Sequence, residues 1–225
     1  SLEFENKIIL KNISFSYKND KNIFKDLNLE ISKNKIIGIA GESGSGKSTI
    51  VNLLTGLIKS QKGNIIIDEK EINDPLILRR YQNLFSITSQ DTYLIDGSIK
   101  DNIIFGSNEK VSNDRIKSSI KFARLDTTIN NLSYGMDTYV GSNIKQLSSG
   151  QKQRISIARS IYSDREILIF DEATNALDKE NEKYIFENLK NLKAKKTIII
   201  ISHDQDNLKI CDYILRVENK KLVSD

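Results

Sequence analysis

Proline occurs once and glycine only 11 times in 225 residues. That scarcity argues against a collagen-like or low-complexity chain, and an apolar fraction of 38% reads as globular. Cysteine is scarcer still. Cys211 is alone, so no internal disulfide can form, which fits a reducing compartment. Long apolar runs are missing as well. Stretches such as Ile36–Ala40 and Ile198–Ile201 fall far short of the roughly 18 residues that span a bilayer, and the start carries no signal-peptide pattern. There is no block of one charge sign. Lys and Arg number 34 against 30 Asp and Glu, interspersed, so a solvated lysine-rich surface is expected and a nucleic-acid partner is not. By itself the chain reads as a soluble cytoplasmic domain. Its opening on Ser1 rather than Met leaves room for a piece of something longer.

What is present is a change of period along the chain. Short β-type runs over Lys7–Leu10, Ile13–Tyr17 and Leu27–Ile31 alternate with polar turns and predict an antiparallel β subdomain. Ile36–Ala40 predicts a buried strand, preceded by Asn34 where a tight turn needs positive φ. A glycine-rich turn follows, then a helix over Ser48–Ile58, with further strands at Ile65–Ile67 and Leu84–Thr88. From Ser98 to Ser148 helical spacing takes over: Ile116, Ile120 and Ala123 share a face, with Ser112 and Asn113 as candidate N-caps. Ile155, Ala158 and Ile161 form a second stripe. Strand, helix and strand return at Ile167–Phe170, Asn181–Leu192 and Thr197–Ile201, and a hairpin around Asn219 closes the chain. The expected fold class is α/β, a core with an N-terminal antiparallel β subdomain and an inserted α-helical subdomain. The core covers 1–90 and 155–225, the insertion 91–154.

Gly41-Glu42-Ser43-Gly44-Ser45-Gly46-Lys47-Ser48-Thr49 fits a phosphate-binding loop in the right context, after an apolar strand and opening a helix. Glycines let backbone N–H groups turn inward around phosphate oxygens, and the helix N-terminus adds a favourable dipole. Lys47 would reach the β- and γ-phosphates, and the Ser48 hydroxyl would ligate Mg²⁺. ATP and Mg²⁺ are the expected cofactors. Asp171 ends the apolar run Ile167–Phe170, the strand end where ligands of open α/β sheets gather. It is the expected Mg²⁺ partner. Glu172 is placed to orient or deprotonate the attacking water. His203, the only histidine, follows another apolar strand and would hydrogen-bond the γ-phosphate. Gln90 ends the segment Phe85–Ser89 and would complete the coordination of Mg²⁺ and water.

In order, the phosphate loop, Gln90, Leu147–Gln151, Ile167–Glu172, Asn175–Asp178 and His203 resemble the ATP-binding cassette family over nearly the whole chain. The match looks closest to the nucleotide-binding domains of exporters, through Ile13–Tyr17 and Gln90–Ile103. The resemblance implies a P-loop NTPase core and roles the residues alone do not supply. Tyr17 would stack on adenine. Ser148, Ser149, Gly150 and Gln151 would form the signature that binds the γ-phosphate of the opposite monomer's ATP, and Asp178 would belong to a loop crossing the dimer interface. Partners would be a second nucleotide-binding domain and a transmembrane domain, at the cytoplasmic face of the inner membrane. Four positions depart from the family pattern: Ser149 stands for a usual Gly, Asn175 for a usual Ser, Tyr139 for a usual Glu and Ile144 for a frequent Gly.

The leading expectation is an ATPase domain that dimerises around two ATP molecules and powers export. Two readings stay beside it: a separate ATPase subunit of an importer, and a nucleotide-gated clamp on DNA or ribosomes. The clamp is disfavoured because the hundred or so residues between phosphate loop and signature hold no sustained heptads.

Overall fold

The computed structural model describes residues 2–17, 23–107, 110–141, 147–218 and 220–224. Ile144 and Asn219, singled out in the sequence, lie outside the described residues. Contacts divide the chain into two units. The first comprises Ser1–Phe85, Glu166–Ile169 and Lys193–Asp225, and the second Ser86–Arg165 and Phe170–Leu192.

In the first unit, β1 (Lys7–Phe15) pairs antiparallel with β2 (Phe24–Ser32) and β4 (Lys62–Ile67). The sequence predicts two runs where the structure has the single strand β1. The reason is a bulge: the register shifts after Leu10, Asn12 takes φ 53°, and the buried positions step from Leu10 to Ile13 instead of alternating. The extra residue re-phases the strand so that both halves bury the same face. A short β5 (Lys70–Glu71) completes the order β2-β1-β4-β5.

The larger sheet is built on β3 (Ile36–Ala40), buried at every residue. β10 (Thr197–Ile201) and β11 (Tyr213–Glu218) pair parallel to it, and β12 (Lys221–Ser224) forms the closing hairpin with β11. With β9 (Ile167–Asp171) and β6 (Phe85–Ser89) the order is β12-β11-β3-β10-β9-β6. Continuous apolar strands of this kind suit a sheet covered on both faces. Asn34 has φ 55° as expected, and its N–H donates to Thr197 Oγ1 at 2.8 Å.

Helix α1 (Lys47–Leu54) stops earlier than the predicted Ile58 because Gly56 turns the chain at φ 66°. Helix α2 (Pro75–Gln82) is absent from the sequence reading. Its signal was there: Asp74 caps Leu76 and Ile77, and Pro75 occupies the first turn. Tyr81 on α2 is fully buried and its hydroxyl donates to the Leu54 carbonyl at 2.5 Å. Together with Ile8, Phe24, Ile37, Ile50 and Ile199 it belongs to one apolar cluster joining both sheets to α1. Cys211 packs beside Gly38 of β3, and burial pushes its thiol up to about 12.

Asp68 fastens the first strand. It accepts backbone N–H bonds from Glu5, Asn6 and Lys7 at 2.8–2.9 Å. Burial pushes this carboxyl up, but the three N–H donors and Lys33 together hold it below the ordinary carboxylate value. A depressed folded value gives stability that is present above the unfolded pKa and lost as pH falls through the folded one. Asp68→Ala is therefore expected to cost about 1 kcal/mol at pH 7 in urea unfolding, with the gap to wild type closing below about pH 4.

The second unit is mostly helical: α3 (Ile99–Ile104), α4 (Asn113–Phe122), α5 (Asp126–Asn130), α6 (Ser149–Tyr162) and α7 (Lys179–Leu192). Ser112, one of the two predicted caps of α4, accepts from Arg115 N–H. Ile116, Ile120 and Ala123 are buried as the stripe predicts, as are Ile155 and Ala158 on α6. Arginines on α6 supply the polar ties. Arg159 donates to the Asn102 carbonyl and Oδ1, both at 2.8 Å, and Arg154 to the Arg124 carbonyl and Thr128 Oγ1 at 2.6 and 3.1 Å. A two-residue strand pair, β7 (Gly97–Ser98) with β8 (Tyr139–Val140), precedes the undescribed stretch that leads to α6. The short helix α8 (Gln205–Leu208), back in the first unit, was not legible in advance.

Candidate functional site

The loop between β3 and α1 carries positive φ at Gly41, Gly44 and Gly46 (155°, 77° and 109°). Gly46 is doubly required, since a Cβ there would stand 2.7 Å from Phe24 Cζ. Lys47 is buried, and its ammonium donates to the Gly41 and Glu42 carbonyls at 2.8 Å each. The cation thus lies back across the loop it follows. Ser45 Oγ is enclosed and has no hydrogen-bond partner within the protein. Such a group asks for an oxygen-rich ligand.

An open cavity of about 630 Å³ lies over this loop, lined by Gly41, Ser43, Gly44, Ser45 and His203 among others. His203 is exposed just beyond β10, whose parallel pairing with β3 sets the two carboxyl ends side by side. Sequence reasoning missed two cations on the same wall, Arg216 and Lys220. The signal was a charge inside the apolar run of β11: Leu215 and Val217 are buried, so Arg216 faces the other way. Tyr17 is not among the cavity's lining residues. It is partly exposed and packs edge-on against Phe15 at 4.9 Å. Ser48 is exposed on the first turn of α1, while Thr49 beside it is buried.

In the second unit Asp171 is the last residue of β9, and Glu172 follows with φ 50°. The Asn175 amide donates to Glu172 Oε2 at 2.9 Å. Thr174, buried, donates to Glu182 Oε1 at 2.8 Å, and Glu182 also pairs with Lys179. Asp178 accepts from Asn181 N–H at 2.9 Å and from its side-chain amide, and these bonds hold its carboxyl below the usual range. Gln90 is exposed immediately after β6.

Ser148 caps α6 through a reciprocal box: its hydroxyl accepts from Gln151 N–H, and the Gln151 side chain accepts from Ser148 N–H at 2.8 Å. Gly150, on the first turn, lies against the loop after Glu172, where a Cβ would come 2.8 Å from the Ala176 carbonyl oxygen.

A family model described as ABC transporter matches residues 24–175. The chain belongs to the ABC transporter family. It is 37% identical over 217 residues to an ATP-dependent lipid A-core flippase of Idiomarina loihiensis, a match covering 96% of this chain and 37% of the relative. It is 39% identical to the leukotoxin translocation ATP-binding protein of Mannheimia glucosida, covering 98% and 31%. Among solved structures, a bacterial Atm1-family ABC exporter with ATP bound superposes with a TM-score of 0.90 at 32% identity, covering 97% of this chain and 38% of that one. The chain therefore spans about a third of the length of these relatives. The fold is the α/β P-loop NTPase core of an ABC domain, as the sequence predicts. Among the described residues no helix is long and apolar enough to cross a membrane.

Set against this ABC fold, the unusual residues acquire places. Ser149 is exposed as the first residue of α6 and needs no glycine conformation. Asn175 touches Glu172. Tyr139 is exposed on β8.

Proposed function

We propose that this chain binds and hydrolyses ATP as one half of a dimer, and that it powers export of a substrate through a transmembrane partner at the cytoplasmic face of the membrane. The observation that carries the ATP reading is the loop itself: glycine turns, the orphaned Ser45 hydroxyl and the Lys47 ammonium converge where phosphates would lie. The exporter reading rests on the relatives, whose names speak of flipping and translocation.

The residue roles follow as proposals. Ser43, Gly44, Ser45, Gly46 and Thr49 shape the phosphate cradle opened by Gly41, and Lys47 neutralises charge on the transferring phosphoryl group. The hydroxyl of Ser48, the carboxylate of Asp171 and the amide oxygen of Gln90 are hard oxygen donors suited to Mg²⁺. Bound by these groups, Mg²⁺ would supply positive charge that offsets the charge on the phosphates. Glu172 orients and deprotonates water, His203 contacts the γ-phosphate, and Tyr17 stacks on the base. Ser148, Ser149, Gly150 and Gln151, within the proposed helical subdomain 91–154, present the α6 N-terminus to the partner's ATP. Asp178 lies at the interface between copies.

The test is ATPase rate against protein concentration, with light scattering in Mg-ATP. A rate rising faster than linearly, with an ATP-dependent dimer, supports the shared-site reading. A monomer turning over in simple proportion to concentration overturns it. A second expectation concerns affinity. Arg216→Ala is expected to weaken binding of a fluorescent ATP analogue about three- to tenfold, up to about 1.4 kcal/mol, because it removes a cation from the cavity wall.

A further inference from the structure

We propose that Asn175 is a positioning residue for Glu172, and that it ties this carboxylate to the loop leading to Asp178. The inference rests on the reading of Glu172 as the base. A carboxylate only accepts hydrogen bonds, so the group meeting Glu172 Oε2 at 2.9 Å is the Asn175 amide nitrogen. The bond closes a tight turn, since Asn175 N–H also donates to the Glu172 carbonyl at 3.3 Å. Glu172 needs such closure. At φ 50° it occupies a left-handed region that is strained for a non-glycine residue, and surrounding contacts must hold it there.

Downstream the segment is anchored. Leu177 N–H donates to the Thr174 carbonyl at 2.9 Å, and buried Thr174 is bonded to Glu182 of α7. Ala176, next to Asn175, lies against Gly150 of α6. A shift of residues 175–178 at an interface would therefore be felt at the Glu172 carboxylate through one amide. A serine at 175 is shorter by one bond, about 1.5 Å, and would not span the same gap. This makes the contact a property of this chain's departure from the family pattern.

The experiment measures steady-state and single-turnover ATPase, with light scattering in Mg-ATP, for Asn175→Ala, Asn175→Ser and Asn175→Asp. Asn175→Ala is also combined with Glu172→Gln. Asn175→Ala is expected to lower kcat about ten- to a hundredfold while leaving KM for ATP within about twofold. It should also accumulate the ATP-bound dimer. Asn175→Ser should behave like Ala, and Asn175→Asp, which sets a second carboxylate against Glu172, should fall further. In the Glu172→Gln background, Asn175→Ala should cause no additional loss.

Wild-type kcat in Asn175→Ala beside an inactive Glu172→Gln would overturn the positioning role and leave the base assignment standing. An equal fractional loss in both backgrounds would also overturn it, because Asn175 would then act independently of Glu172. Full turnover in Glu172→Gln would sink the base reading and this proposal with it.

Discussion

Glu172→Gln is expected to bind ATP and dimerise like wild type while losing turnover by about 10²- to 10⁴-fold. The amide is nearly isosteric and its oxygen can still accept from Asn175, so the turn after β9 survives. On the role proposed for Glu172, what disappears is the basic carboxylate that would take a proton from water. In the proposed dimer, binding and closure would precede that step, so ATP should trap the variant as a long-lived dimer. Light scattering and phosphate release, measured on the same sample, check both halves. Turnover near the wild-type rate would remove Glu172 from the mechanism, and failure to dimerise would place its role in assembly.

Gly150→Ala should be the second severe change, for a steric reason. Alanine is the better helix former by about 1 kcal/mol, so an ordinary position on α6 would gain stability. Here the added Cβ would stand 2.8 Å from the Ala176 carbonyl, a backbone atom that cannot swing aside as a side chain can. Either α6 or the loop carrying Asn175 must move, at about 1–3 kcal/mol. The expected result is ATPase lowered about tenfold or more, with nucleotide affinity of the monomer within twofold. Wild-type turnover in Gly150→Ala would show that the close approach has no catalytic consequence.

Where composition and period carried the information, the fold was legible. The short, isoleucine-rich runs Ile36–Ala40 and Thr197–Ile201 became strands with those bounds, as β-branched residues between turn signals favour a covered strand. Asn34 adopted the left-handed conformation its position requires. Legibility failed where one residue outweighs a pattern. Asn12 merges two predicted strands into one by a bulge, and the break in alternation it leaves between Leu10 and Ile13 reads equally as a strand end. Helix α2 escaped because its apolar inward face is short, Ile77, Leu78 and Tyr81 alone, although Asp74 and Pro75 mark its start.

The candidate site divides along the same line. The proposed motif residues follow from the groups that phosphate and metal chemistry demand at particular spacings. Other features give no such signal. Arg216 reaches the cavity over the phosphate loop from β11, far along the chain. The Asn175–Glu172 bond depends on a left-handed Glu that no spacing rule announces.

Cys211 has a practical consequence. Its thiol is pushed up to about 12, so almost none of it is thiolate at neutral pH, and thiolate is the form that maleimides and spin labels attack. With no other cysteine in these 225 residues, this chain should be nearly silent to such reagents. A single cysteine introduced at an exposed site would then be the sole labelled position. Distances between copies could be read by fluorescence or electron spin resonance without first removing the native thiol.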